Sequence, residues 1–83
     1  MRGYRLNAHG YEMVVSRDIN GDWIGACYRV GHSASVPVTA GPGQLDDIKL
    51  EVCRQVEALA IVHGRVVVDS CEESLSLWSE IPD

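Results

Sequence analysis

Phenylalanine is absent from the 83-residue chain, so valine, isoleucine, leucine, tyrosine and tryptophan must fill any core. Long apolar runs are missing too. Nothing approaches the ~20 apolar residues that a membrane-spanning helix requires. The basic start Arg2-Gly3-Tyr4-Arg5 is not followed by the apolar stretch of a secretory signal. Cysteine is sparse: Cys27, Cys53 and Cys71 are odd in number and far apart. They read as free thiols of a soluble, cytoplasmic protein, each a small buried hydrophobe, rather than as a disulfide framework. No Cys-x-x-Cys, His-x-x-x-His or His-Glu-x-x-His spacing occurs, and His9, His32 and His63 fall in or beside expected turns or at a helix end. The sequence therefore indicates no metal and no cofactor.

Positive charge is scarce and unevenly placed. The net charge is −5. Residues 1–40 carry four Arg against Glu12, Asp18 and Asp22, whereas residues 41–83 carry Lys49, Arg54 and Arg65 against nine acids. A nucleic acid would be repelled by most of this surface. At 46% hydrophobic and 23% charged residues, the chain has the balance of a single globular domain.

The strongest local signal is Asn20-Gly21 between two β-rich runs, 11–18 and 22–30, which predicts a hairpin. With Asn20-Gly21 as a two-residue loop, Tyr11, Met13 and Val15 share a face with Ile24, Ala26, Tyr28 and Val30, and that face is taken as the core side. Val14, Trp23, Cys27 and Arg29 then share the other. Residues 3–8 alternate as a further strand, with His9-Gly10 either turning the chain or bulging it. Residues 34–39 form a fourth strand, which Pro37 restricts to an edge.

After the break at Gly41-Pro42-Gly43, helical periodicity takes over. Leu45, Ile48, Val52, Val56, Leu59 and His63 lie on one stripe, opposite Asp47, Glu51, Arg54 and Ala58. Asp46 and Asp47 suit the first turn, and Gly64 suits the left-handed residue past the end. A helix is expected over about 44–63. Residues 65–69 read as a buried strand or as an extended tail on the helix. Residues 70–83 read as a short helix with Cys71, Leu75 and Trp78 on one face, or as a strand, since Leu75 and Leu77 alternate with serines; the end either frays into solvent or folds back to close a second small core. The fold class is α+β: an antiparallel sheet of three to five strands packed on one long helix in the C-terminal half.

Chemistry is harder to find. A thiol nucleophile would have to combine Cys27 with His32 and Glu12, with nothing nearby to lower its pKa. Asp46-Asp47 and Glu72-Glu73 are adjacent, so neither pair converges on a helix. The chain is read as non-catalytic. Two binding readings remain. One is a protein partner or self-association through Val14, Trp23, Arg29, Leu77 and Trp78, since exposed tryptophans anchor partner surfaces. The other is a nucleic-acid-linked regulatory surface around Trp23 and Arg29.

The Tyr11-x-Met-x-Val, Asn20-Gly-Asp-Trp and Ala26 hairpin, followed by a strand and one long helix, resembles the start of HicB-type antitoxin domains over about 50 residues. Tyr28-Arg-Val-Gly-His-Ser33 stands where that family has a Pro-x-hydrophobic-x-Gly-Cys segment, so no functional residue carries over. The Gly-Tyr and Asn-Gly-Asp-Trp pattern and the chain length also resemble small uncharacterised bacterial and prophage-associated α+β proteins. That likeness implies an accessory role in phage particle assembly.

Overall fold

A computed structural model describes residues 3–31, 35–64 and 71–82, with backbone alone for 35–37 and 39. Four strands, β1 (Gly3–Ala8), β2 (Tyr11–Arg17), β3 (Trp23–Arg29) and β4 (Ser35–Gly43), run up and down as a meander. Helix α1 (Leu45–Val62) then crosses one face of the sheet. A short helix α2 (Cys71–Ser74) and a 3₁₀ turn (Leu75–Leu77) lead into β5 (Ser79–Ile81), which pairs with β1 at the far edge. The sheet order is β4-β3-β2-β1-β5, antiparallel throughout. This is the expected α+β fold, and the Pro37 strand is an edge strand as expected. The expected strand over 65–69 lies outside the described residues.

His9 and Gly10 both have positive φ, and Ala8 pairs directly with Tyr11, so they form a tight two-residue turn rather than a bulge. The second hairpin departs from expectation. Asp18 N–H donates to the Asp22 carbonyl at 2.8 Å and Gly21 N–H donates to the Asp18 carbonyl at 3.1 Å. The loop is thus three residues, Ile19-Asn20-Gly21, with Gly21 left-handed at φ 84°. One Asp18 carboxylate oxygen accepts from the N–H groups of Asn20 (2.8 Å) and Asp22 (3.0 Å), which holds the turn in that form.

One extra loop residue slips the strand by one position and turns every β3 side chain over. Met13 faces Cys27, and Val15 faces Gly25. The core side of β3 is therefore Trp23, Gly25 and Cys27, and the expected assignment of Ile24, Ala26, Tyr28 and Val30 to the core is wrong. Ile24 and Tyr28 are each 37% exposed and Val30 is 60% exposed.

The core lies between that side of the sheet and α1. Met13, Val15, Cys27, Val52 and Val56 are fully buried, joined by Leu6, Tyr11, Ala40, Ile48, Cys53, Cys71 and Trp78. Gly25 lets the helix approach closely: a Cβ there would overlap Val52 Cγ2 and lie 3.0 Å from Ala40 Cβ.

The helix starts at the Gln44 cap, with Asp46 and Asp47 in its first turn, and closes with His63 N–H on the Leu59 carbonyl at 3.1 Å. Gly64 follows at φ 79°. Asp47, Glu51, Arg54 and Ala58 are exposed as expected. The buried stripe is wider than expected. It takes in Lys49, Cys53 and Ala60, while His63 is exposed. The cause is the C-terminal segment, which covers that flank of the helix with Cys71 and Trp78. The chain end does not fray after Trp78, because β5 pairs Arg5 with Ser79, Tyr4 with Glu80 and Gly3 with Ile81. Strand β4 also runs through Gly41-Pro42-Gly43 instead of stopping before it, with register shifts opposite Trp23, Gly25 and Cys27.

Candidate functional site

The five residues expected to form a partner surface are dispersed. Val14 is half-buried on the side of the sheet away from α1, opposite Arg5 and Ala26. Trp23 is on the helix side, its ring 5.8 Å from that of Tyr4 and the Arg17 guanidinium 5.1 Å above it. Arg29 is exposed at the end of β3, opposite Tyr11. Leu77 is exposed in the 3₁₀ turn, and Trp78 is buried. Register separates Val14 from Trp23, and burial withdraws Trp78. Trp23 and Arg29 do share a face of β3, but it is the helix side, with the Trp23 ring against Tyr4 and Arg17.

What does assemble is the second face of the sheet. Across it, the paired positions run Ile81, Gly3, Ser16, Ile24; then Ser79, Arg5, Val14, Ala26; then Asn7, Glu12, Tyr28. No described helix packs on this side: the core residues of β1–β3 and the helix all lie on the other. A solvated antiparallel face ordinarily alternates to polar residues. Here its middle is Val14, Ile24, Ala26 and Tyr28, flanked by Ile81, with one cation (Arg5) and one carboxylate (Glu12) on neighbouring strands. The sequence concealed this because β3 is apolar on both faces.

Other chemistry is limited. Cys27, expected on a reachable face, is fully buried, and burial pushes its thiol up to about 11, away from the activated thiolate a nucleophile needs. His32, its expected base, lies outside the described residues. A groove of about 240 Å³ between β4 and α1 is lined by Val38, Gln55, Ala58, Leu59 and Val62, which offer no acid, base or nucleophile. Lys49 is buried with its ammonium 4.2 Å from the Tyr4 ring centroid and 5.8 Å from that of Trp78, so two aromatic faces stabilise the charge.

One cluster was missed entirely by the sequence reading. Cys53 and Glu57, one turn apart on α1, meet Cys71 of α2, with their ligand atoms within 4.8 Å of one another. The i, i+4 spacing was visible; the return of Cys71 across the intervening segment was not.

Compared with known proteins, the chain matches no family model, no curated protein and no solved structure. None of its helices among the described residues is long and apolar enough to cross a membrane.

Proposed function

We propose that the chain is a non-catalytic protein-binding module that self-associates through the face of the sheet opposite α1. The observation that carries this reading is the apolar middle of that face, Val14, Ile24, Ala26 and Tyr28, where a solvated sheet would be polar. A second copy is the occupant that its charges suit. A two-fold interface must be self-complementary, and Arg5 and Glu12 supply one charge of each sign on the same face.

Size sets the strength. Five strands at ~4.8 Å spacing and about six residues at ~3.3 Å give a face of roughly 475 Å² per copy. That lies at the low end for specific contacts, so the dimer is weak and transient. A homo-oligomeric regulator or an accessory protein of phage assembly in a bacterial cytoplasm is the setting the proposal favours. The three free thiols support a reducing compartment.

Sedimentation velocity over a concentration series up to about 1 mM tests it, that range matching an interface of this area. The expected result is a reversible shift towards dimer that Ile24→Glu abolishes while the far-UV spectrum is kept. A monomer at every concentration, or a dimer indifferent to Ile24→Glu, refutes it.

A further inference from the structure

The Cys53, Glu57 and Cys71 cluster stands apart from the open face of the sheet. Two thiols and a carboxylate converge at the junction of α1 and α2, with Cys53 2% exposed and Cys71 3% exposed. Their ligand atoms all lie within 4.8 Å of one another. Tetrahedral zinc, with Zn–S at about 2.3 Å and Zn–O at about 2.0 Å, needs ligand atoms roughly 3.5–3.8 Å apart. Small rotamer adjustments close the difference.

The second observation is an orphan. Glu57 Oε1 is shut off from solvent and meets no donor other than the weak thiol of Cys71 in the cluster itself. Native structures rarely leave a carboxylate oxygen so, and an absent ion is one of the standing reasons for it. A surface contact bridges the two helices beside the cluster. Arg54, next to Cys53, donates to Glu72, next to Cys71, at 2.8 Å, so an ion pair ties together the two helices that carry the thiols.

We propose that Cys53, Glu57 and Cys71 form a zinc-binding site, with the two sulfurs and Glu57 Oε1 as ligands and a fourth position left to water. Two thiolates select a thiophilic divalent ion over magnesium or calcium, whose preferred ligands are all oxygen. On binding, each thiol releases its proton to solvent and each sulfur donates an electron pair to the ion; no electron is transferred. The ion would join α2 to α1 and so fix the segment that delivers Trp78 and β5 to the sheet.

Reduced, chelator-treated full-length protein titrated with Co²⁺ and then Zn²⁺ provides the test. A sulfur-to-cobalt charge-transfer band saturating at one ion per chain, displaced by zinc, is the expected result, together with a rise in Tm on adding zinc. Cys71→Ser should weaken zinc about 100-fold or more and Glu57→Gln about 10-fold, as loss of a ligand or its support does elsewhere. Cys27→Ala should leave the band intact, because Cys27 lies elsewhere in the core. Absence of the band in the unmutated protein overturns the proposal regardless of how the variants fold. So does a band that survives Cys71→Ser, or oxidation of Cys53 and Cys71 to a disulfide that leaves zinc affinity unchanged.

Discussion

Replacing Gly25 with alanine probes the closest approach between helix and sheet. The added methyl would overlap Val52 Cγ2 and sit 3.0 Å from Ala40 Cβ. Neither neighbour can yield cheaply. Val52 is fully buried and, being β-branched in a helix, has one strongly preferred rotamer, while the Ala40 Cβ moves only with its backbone. Relief must come from lifting α1 off the sheet. Overpacking of this kind costs about 1–3 kcal/mol, and the rigidity of both neighbours places Gly25→Ala near the upper end. For a domain of this size each kcal/mol lowers Tm by roughly 4–8 °C. Urea unfolding followed by circular dichroism measures the loss. The double variant with Val52→Ala supplies the control, because it makes room for the methyl. The Gly25→Ala penalty should fall by more than about 1 kcal/mol in that background, a coupling expected only of residues in contact. With a two-residue loop, Gly25 would face outwards and alanine would be neutral or mildly stabilising. A penalty below about 0.5 kcal/mol, the range of ordinary surface substitutions, therefore refutes the packing described above.

Three further outcomes are expected. Burial raises the Cys27 thiol from 9.0 to about 11, so the folded state holds this proton more tightly than the unfolded chain. Its contribution is complete below about pH 9 and is lost between about pH 9 and 11, with a slope of up to roughly 1.4 kcal/mol per pH unit in a stability–pH profile; Cys27→Ala should lessen the slope there, the remainder coming from Cys53 and Cys71, which burial also raises. Glu72 titrates below its usual range because of a hydrogen bond from its own backbone N–H and one from Arg54. Its contribution is present above pH 4.5 and lost as pH falls through its lowered pKa, so the acid limb of the same profile should move in Arg54→Met. Gln44 caps α1 without any side-chain hydrogen bond, so Gln44→Asp should raise stability by about 0.5–1 kcal/mol in chemical denaturation.

Local signals carried the fold, and long-range ones did not. The helix was legible because Ile48, Val52 and Val56 repeat at helical spacing and Gly64 ends the run. The edge position of β4 followed from Pro37, which lacks a donor for a second neighbour. The hairpin itself was legible in Asn20-Gly21, but its register was not. That dipeptide fits a two-residue loop and a three-residue loop equally well, and the choice is made by the Asp18 carboxylate bonding two backbone N–H groups. Hydrophobic sorting could not correct the error, since Trp23 and Cys27 on one face of β3 compete with Ile24 and Tyr28 on the other. The pairing of β5 was not legible because only Ile81 of its three residues favours a strand and its partner β1 lies some 75 positions earlier, a contact that leaves no local trace. The same non-locality hid Cys71 beside Cys53.

Both the packing and the open face depend on which residues of β2 and β3 stand opposite each other, and an NOE spectrum reports this directly. Cross-strand Hα–Hα contacts are expected between Met13 and Cys27 and between Val15 and Gly25. Hα–Hα contacts between Val14 and Cys27 and between Ser16 and Gly25, the closely spaced pairs of a two-residue loop, would contradict the account, returning Ile24 to the core and removing the apolar face on which self-association rests.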